Sequence, residues 1–244
     1  MKATPTAATR LRLMHDQLAQ AYGPQHWWPA ETPLEVILGT YLTQNTSWRA
    51  VERSLANLRS AGALTLDGLR ELSLEDLRNL IRPTGFHTRK APAIKAFIAM
   101  LDEEFDGSLE RMAKAPTATI RSRLLALPGV GPETADAILL YALHHSAPVA
   151  DEYLRRIAAR HGLLVPAPGR KGYESLVELT RQTFGADSAA EHRRLFNEFH
   201  ALTVAVGKAH CGKAPACERC PLAADLRFST TSSAKGATRK QAQS

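Results

Sequence analysis

The stretch Leu-Pro-Gly-Val-Gly-Pro-Glu-Thr-Ala at residues 127–135 limits the folds open to this chain more than any other stretch does. It lies between two segments whose apolar residues follow a helical period. Pro128 ends the first helix, because the residue before a proline resists the α region, and Pro132 suits the first turn of the second. Gly129 and Gly131 are expected to supply backbone angles and an open surface that other residues would refuse. The prediction is two helices joined by a tight hairpin.

The tip of this hairpin is expected to expose backbone N–H groups beside a helix N-terminus. Such a tip can bind an anion, and the obvious polymeric anion is a nucleic-acid phosphate. The alternative is a buried glycine turn between two packed helices. Composition agrees with an anionic partner without requiring one, since 31 Lys and Arg against 24 Asp and Glu give a formal charge of +7.

A helical period is visible along most of the chain, and no convincing strand pattern occurs, so the predicted class is all-α. Ser73 and Thr88 are expected to cap two helices, and Thr46 or Ser47 is expected to cap a third. The predicted helices are 8–22, 34–42, 48–58, 74–81, 89–101, 118–126, 132–145, 151–161, 173–184 and 189–206.

Several classes of protein are disfavoured by the composition of the 244 residues. No apolar run approaches the roughly 18–20 residues of a membrane span, so no membrane partner is expected. The first residues lack the apolar core of a signal peptide, which predicts an intracellular protein. Three cysteines, all within residues 211–220, form an odd, clustered set that favours a metal over disulfides.

The hairpin stretch is followed by an apolar helix and then by Asp151, which closes the run Pro-Val-Ala-Asp at residues 148–151. This order and spacing resemble the helix–hairpin–helix DNA glycosylases of the endonuclease III superfamily. The resemblance implies a monomeric, cytoplasmic, nucleoid-associated bacterial enzyme of base excision repair that acts on damaged double-stranded DNA. It also implies a six-helix barrel domain at 34–146, a second helical domain of the iron–sulfur type from 1–33 and 147–228, and a DNA cleft between them. Residues 229–244 are expected to form a disordered tail.

Asp151 matches the family's catalytic aspartate by its offset from the hairpin. Removing a base breaks the C1′–N bond through a transition state with oxocarbenium character, which a nearby carboxylate stabilises while it orients or activates water. On its own, Asp151 is equally an ordinary helix N-cap. Glu133 stands where bifunctional members carry a lysine that forms a Schiff base. Because a carboxylate cannot form an imine, the resemblance implies a monofunctional glycosylase that leaves the abasic site uncut.

Two further positions match residues with which the family enters DNA. Gln44 corresponds to the glutamine that fills the gap left by a flipped nucleotide, although helix-end chemistry also explains its neighbourhood. Phe86 corresponds to an apolar wedge that props the duplex open, and its alternative is a core plug. Arg89 and Lys90 could equally belong to an ordinary solvated helix face. The residues of the hairpin implied to contact DNA are Gly129, Val130, Gly131, Glu133 and Thr134.

The sequence around the tryptophans most resembles the 3-methyladenine branch of the superfamily. Carried over by position, Trp27 and Trp48 would stack on the extruded base, while Trp28 and Pro29 would line the wall. Stacking an electron-poor alkylated purine between indoles is physically sensible. Lys208 would lie near the base, where its charge is not obviously favourable, so it could instead hold a phosphate or a helix C-terminus. Oxidised pyrimidines are the second candidate substrate class.

Five and two residues separate Cys211, Cys217 and Cys220, as in the superfamily's C-terminal [4Fe–4S] loop. The family's fourth cysteine would fall near residue 226, a leucine here. Asp225 or His210 could replace it, and zinc or no metal are the alternatives. Two rivals to an enzyme also stay open: a DNA-binding module that has lost catalysis, and a protein–protein helical hairpin without salt-dependent DNA affinity.

Overall fold

The structure is a computed structural model that describes residues 5–25, 27, 30–165 and 167–229. Throughout these residues the regular structure is helical and contains no strand, which confirms the all-α class. The α-helices of this part of the chain are α1 (Ala7–Tyr22), α2 (Pro33–Leu42), α3 (Trp48–Ser60), α4 (Leu66–Glu71), α5 (Leu74–Leu80), α6 (His87–Phe105), α7 (Leu109–Lys114), α8 (Thr117–Ala126), α9 (Pro132–Ala137), α10 (Glu152–Arg160), α11 (Gly169–Thr183) and α12 (Ala189–Ala209).

Shorter helical turns complete the regular structure. Tight 3-10 turns occur at Arg82–Thr84, Cys217–Arg219 and Ala223–Phe228. The helix after the hairpin differs from the expected 132–145, because its α-helical bonding ends with α9 and continues as a π-helical turn, Ile138–Ala142. All five residues of that turn are buried, so its wider bonding lies inside a packed core.

The short helices α4 and α7 were not predicted, although each has a local start signal. Thr65 and Ser108 accept hydrogen bonds from the backbone N–H groups of Gly68 and Arg111, respectively. Six residues are too few for a hydrophobic period to stand out, which is why sequence periodicity missed both helices. Ser73 caps α5 as predicted, with the Asp76 N–H donating to its hydroxyl at 3.0 Å.

The described residues divide into two compact units. The central unit lies within Trp28–Val149, and the terminal unit combines the two ends of the chain, within Met1–Trp27 and Ala150–Ser244. The boundaries expected from the sequence are 33/34 and 146/147. Residues 230–244, the bulk of the expected disordered tail, lie outside the described part. Ser229, expected to begin that tail, is instead buried, and its hydroxyl donates to the carbonyl of Arg160 at 3.1 Å.

The central unit is built around α2, which is buried along almost its whole length. Apolar side chains of α2 face several directions, so the helix needs neighbours on more than one side. It packs against α3, α6, α9 and the π-helical turn. Tyr41 near its end lies edge-on to Phe97 of α6, with ring centroids 6.2 Å apart. The residues after Leu42 therefore follow directly on a helix that is packed into the core.

The terminal unit is built around α1, α10, α11 and α12. Helix α1 packs against α11 and α12, and α10 packs against α12. An aromatic cluster fills the space beside α1, where the Phe184 ring lies 5.2 Å from that of His15 and 4.9 Å from that of Phe199. Across the described residues of both units, no helix combines the length and the apolar character that a membrane crossing demands.

Candidate functional site

The hairpin of the central unit is stabilised by contacts between its own residues. Helix α8 ends before Leu127, and α9 starts with Pro132 in its first turn, as predicted. Across the hairpin, the Arg121 guanidinium donates to both carboxylate oxygens of Asp136, at 2.7 and 3.0 Å. At the tip, the side chain of Val130 is buried, and its N–H donates to the carbonyl of Leu127 at 3.3 Å. The tip is therefore preformed.

The two hairpin glycines differ in what they require. Gly129 has φ +74°, a left-handed conformation that favours glycine. Gly131 was expected to need a special conformation as well, but its φ of −93° is ordinary, so this expectation was wrong. A Cβ atom at Gly131 would meet nothing within 4 Å in the described structure. Both glycines are exposed, and their N–H groups have no hydrogen-bond partner among the residues described.

Gln44 follows directly on the end of α2 and lies against the hairpin. Its Nε2 donates to the carbonyl of Gly129 and to Oγ1 of Thr134, both at 3.1 Å. Three of the residues predicted to contact DNA thus come together in one place. Glu133, between them in the first turn of α9, is exposed. Trp48, in the first turn of α3, is half-buried. Its helix has Ser47 as the N-cap residue, but without a side-chain cap bond.

Phe86 is 58% exposed, so it is not a core plug. It occupies the N-cap position of α6 with φ +46°, directly after Gly85 at φ +64°. Left-handed backbone is costly for a bulky residue, and the phenyl ring at this position is exposed. Thr88 was expected to cap this helix, which was wrong because α6 already begins at His87.

A pocket of ≈ 210 Å³ opens in the central unit beside these residues. Its wall includes side chains of both DNA-matching positions and the hairpin glycine. The residues that line it are Tyr41, Gln44, Asn45, Phe86, Arg89, Lys90, Ala93 and Gly129. Arg89 is exposed, in keeping with a solvated face, but Lys90 is buried, so the interpretation of Lys90 as a solvated residue was wrong.

Asp151 lies in the terminal unit and is the N-cap of α10. Its Oδ1 accepts a hydrogen bond from the Leu154 N–H at 2.8 Å, which confirms the capping geometry. Its Oδ2 lies 3.6 Å from Nε2 of His200 on α12. Asp151 is 8% exposed and His200 is 7% exposed. The carboxylate is thus fixed in a confined setting with an imidazole as its neighbour.

His200 was missed by the sequence analysis. It lies on α12 among apolar residues, 49 positions after Asp151 (200 minus 151), and nothing in its local pattern distinguishes it from a core histidine. Only the packing of α10 against α12 brings the two side chains together.

The predicted base-pocket residues are only partly described. Trp28 and Pro29 lie outside the residues that the structure describes. Trp27 belongs to the terminal unit, where Nζ of Lys208 lies 5.6 Å from its ring centroid. Lys208 is therefore a cation–π partner of Trp27. Trp48 belongs to the central unit.

The three cysteines do not present an obvious ligand set. Cys211 is buried, with Nη1 of Arg160 at 3.0 Å from its Sγ, and Cys217 and Cys220 are half-buried. Burial, together with the neighbouring thiols, raises the pKa of the Cys220 thiol. Within the described ranges, no group of three or more His, Cys, Asp or Glu side chains is arranged to hold a metal ion.

Asp225, one proposed fourth ligand, is already engaged. Its carboxylate accepts two hydrogen bonds from the Arg10 guanidinium, at 2.9 and 2.6 Å, and lies 2.9 Å from Nδ1 of His161. Burial raises the pKa of this carboxyl, but the hydrogen bonds and charges of His161 and Arg10 outweigh that effect and lower it overall. Asp225 is therefore not available as the fourth ligand, and, since the described residues hold no arranged group of three ligands, they do not fit a four-ligand cluster as they stand.

Comparison with known proteins identifies the family of this chain. Residues 38–182, more than half of the chain, match the family model of the HhH-GPD superfamily of base excision DNA repair proteins. The chain belongs to this superfamily. The resemblance drawn from the hairpin sequence and its distance to Asp151 is thereby confirmed.

Individual relatives of this HhH-GPD protein agree with that assignment. A Methanocaldococcus jannaschii protein, itself an inferred DNA repair glycosylase, is 38% identical over 207 residues, which cover 84% of this chain and 90% of the relative. The structure of H. pylori 3-methyladenine DNA glycosylase (MagIII) bound to 1,N6-ethenoadenine has a TM-score of 0.70 and 25% identity, covering 84% of this chain and 98% of that one. A non-covalent endonuclease III–DNA complex, with a TM-score of 0.73 and 22% identity over 93% and 97% of the two chains, shares the fold.

Proposed function

We propose that this HhH-GPD protein is a monofunctional DNA glycosylase that hydrolyses the N-glycosidic bond of a damaged base in double-stranded DNA. The observation that carries the proposal is the confined carboxylate of Asp151, fixed at the start of α10 in a chain of a base excision repair superfamily. In this proposal the central unit is the barrel domain, the terminal unit is the second helical domain, and the protein acts as a monomer.

Asp151 is proposed to act on the sugar. As positive charge develops at C1′, a carboxylate nearby lowers the energy of the oxocarbenium-like transition state. The Leu154 N–H holds Oδ1, so little reorganisation is needed when that charge appears. Oδ2, beside His200, is the oxygen we assign to orienting the attacking water.

Glu133 supports hydrolysis without strand cleavage. A lyase step needs an amine that attacks C1′ and forms an imine, and the matching position in the first turn of α9 carries a carboxylate. We therefore propose that water is the only nucleophile and that the abasic site is released uncut.

DNA engagement is proposed for the central unit. The exposed N–H groups of Gly129 and Gly131 are suited to a phosphate oxygen. Val130, Glu133 and Thr134 complete the contact surface of the hairpin. Phe86, turned outward, is suited to wedge between base pairs, and Gln44 is suited to fill the gap that a flipped nucleotide leaves.

Alkylated purines are the proposed substrates. Nζ of Lys208 lies 5.6 Å from the Trp27 ring centroid, and a positively charged alkylated base that stacks on the other face of this indole would be stabilised by the same cation–π attraction. Trp48, Trp28 and Pro29 are assigned to the remaining walls by position in the sequence. The similarity to MagIII, solved with 1,N6-ethenoadenine, supports this class over oxidised pyrimidines, which stay the second candidate.

The cysteine cluster stays a prediction from sequence. Cys211, Cys217 and Cys220 would bind a [4Fe–4S] cluster or zinc only after rearranging from the described geometry, so no step of the proposed reaction passes through a metal. Measuring iron and zinc in purified protein decides the point. Metal in equimolar amount that is lost in Cys217→Ser would establish a site.

The test of the proposed reaction is single-turnover base release from duplexes with 3-methyladenine, 7-methylguanine or thymine glycol, each analysed with and without hot alkali. Strand breaks that arise only after alkali, and that disappear in Asp151→Asn, are the expected result. Breaks without alkali would overturn the monofunctional assignment. Tight duplex binding without release from any lesion would favour a homologue that only binds DNA.

A further inference from the structure

Lys90 has an unusual place for a lysine. It lies in the first turn of α6 and is only 4% exposed. Its Nζ donates to the carbonyl of Leu42 at 2.8 Å and to the carbonyl of Thr84 at 3.1 Å. Burial lowers the pKa of this amine. A buried ammonium is costly, so these two acceptors are important to the local structure.

The two acceptors are the ends of two structural elements. Leu42 is the last residue of α2, and Thr84 is the last residue of the 3-10 turn that precedes α6. Each lies two residues before a residue assigned to DNA: Leu42 before Gln44, and Thr84 before Phe86. The ammonium group of Lys90 therefore hydrogen-bonds both the residue two positions before Gln44 and the residue two positions before Phe86.

The bond to Leu42 also has a clear physical basis. The last carbonyls of a helix lack intrahelical donors and carry partial negative charge, which a lysine can satisfy. Helix α2 is fixed in the core, so Lys90 transmits that fixed position to the turn before Phe86. The pocket of ≈ 210 Å³ lies between the two segments and has Lys90 in its wall.

We propose that Lys90 is a positioning residue that sets the spacing between Gln44 and Phe86. With this spacing, Phe86 enters the duplex as a wedge while Gln44 fills the gap left by the flipped nucleotide. The inference rests on the proposed function, because it takes the roles of Gln44 and Phe86 from it. It adds a residue that touches neither DNA nor the reacting atoms but determines how efficiently a paired base is extruded.

Lys95 provides a matched control on the same helix. Its Nζ donates to the carbonyls of Leu69 and Arg70, at 2.6 and 3.2 Å, at the end of α4. Burial lowers the pKa of this amine too. Lys95 is half-buried rather than buried, but its amine makes the same kind of bonds to two backbone carbonyls, and α4 carries no residue assigned to DNA. A role in folding alone would leave the ratio of paired to bulged duplex unchanged in variants of both lysines.

The experiment compares Lys90→Met and Lys95→Met on two pairs of duplexes. In one pair, the lesion is either base-paired or placed in a one-nucleotide bulge, where extrusion costs less. In the other, a tetrahydrofuran abasic analogue lies beside 2-aminopurine, either opposite a base or in a bulge. The fluorescence of 2-aminopurine rises when its stacking on neighbouring bases is broken. This readout needs no catalysis and no knowledge of the lesion.

For Lys90→Met we expect release from the paired lesion to fall about tenfold or more, since small misplacements of such groups are costly. Release from the bulged lesion should fall less than about threefold. The fluorescence rise should be reduced only on the paired duplex. Lys95→Met should match wild-type protein in every ratio of paired to bulged duplex, whatever its thermal stability.

Equal losses on paired and bulged duplexes, or equal behaviour of the two variants, would overturn the inference. If Lys90→Met does not fold, Lys90→Arg replaces it. The wider guanidinium must separate the two carbonyls, so a selective loss on paired duplexes is again expected, and wild-type ratios would refute the proposal. Failure of the proposed function looks different: no base is released by any variant, while the fluorescence comparison still decides the role of Lys90.

Discussion

Oδ2 of Asp151 lies 3.6 Å from Nε2 of His200, and both side chains are more than nine-tenths buried. The other oxygen of the carboxylate is committed to the N-terminus of α10. The aspartate thus has one structural oxygen and one oxygen that a neighbouring helix can direct. This division allows its observed role as a helix cap and its proposed role as an acid–base group to be separated by substitution.

Asparagine at position 151 keeps the cap but removes the carboxylate. We expect Asp151→Asn to change the free energy of unfolding by less than about 0.5 kcal/mol, because Asn and Asp are comparable N-caps. Base release should nevertheless fall by about 10²- to 10⁴-fold. Asp151→Ala should lose the activity and, in addition, about 1 kcal/mol of stability. If both variants lost activity only in proportion to their unfolded fraction, Asp151 would be a cap and nothing more.

His200 should affect the chemical step more than DNA binding. In His200→Gln, Oδ2 loses its neighbouring imidazole, and we expect single-turnover release to slow about tenfold. The Kd for a duplex with an abasic analogue should be unchanged. His15→Gln is the control, since His15 is a second buried histidine of the terminal unit, and its contacts include Phe184 and Asp16. A parallel slowing in His15→Gln would mean that any buried histidine has this effect.

Glu133 makes a prediction about covalent chemistry. Borohydride should trap no protein–DNA complex from wild-type protein on an abasic duplex, because the position offers no amine. Glu133→Lys should yield a trapped complex, since it places an amine in the first turn of α9. Glu110→Lys on α7 is the control and should yield none. Trapping by the wild-type protein would show that another lysine serves as nucleophile.

Asp225 makes the stability of the terminal unit depend on pH. Its carboxyl has a pKa below the ordinary 3.8 when folded, so the stabilisation is complete above that ordinary value and is lost as pH falls through the folded value. At pH 7 we expect Asp225→Asn to lose about 3 kcal/mol, because it breaks a buried pair with Arg10. The difference from wild type should shrink steadily below about pH 4, as chemical denaturation at a series of pH values would reveal.

A surface aspartate is the control for that experiment. Asp16 lies 3.5 Å from Arg12 and 2.9 Å from Nδ1 of His15, and its own side chain is about half exposed, so its charge faces water. Asp16→Asn should cost less than about 0.5 kcal/mol at any pH. If Asp225→Asn were equally mild, the buried network would contribute nothing net to stability.

Local chemistry explains which parts of the structure could be predicted. Ser73 and Asp151 cap their helices as expected, because a cap depends on residues three positions away. Lys90 looked like a solvated surface residue, since its acceptor at Leu42 is 48 positions distant. His200 escaped notice for the same reason. The roles that depend on packing between distant helices are the ones that sequence pattern does not reveal.

The pair of Arg10 and Asp225 joins residues 215 positions apart. The central unit is continuous in sequence, so on a ribosome it can be complete while α11 and α12, the partners of α1, have not yet emerged. Arg10 has no carboxylate partner from this pair until residue 225 has been synthesised. Synthesis therefore orders the folding of this protein: the central unit can form once residue 149 has emerged, whereas the terminal unit, which carries Asp151, can be completed only after residue 225 has emerged.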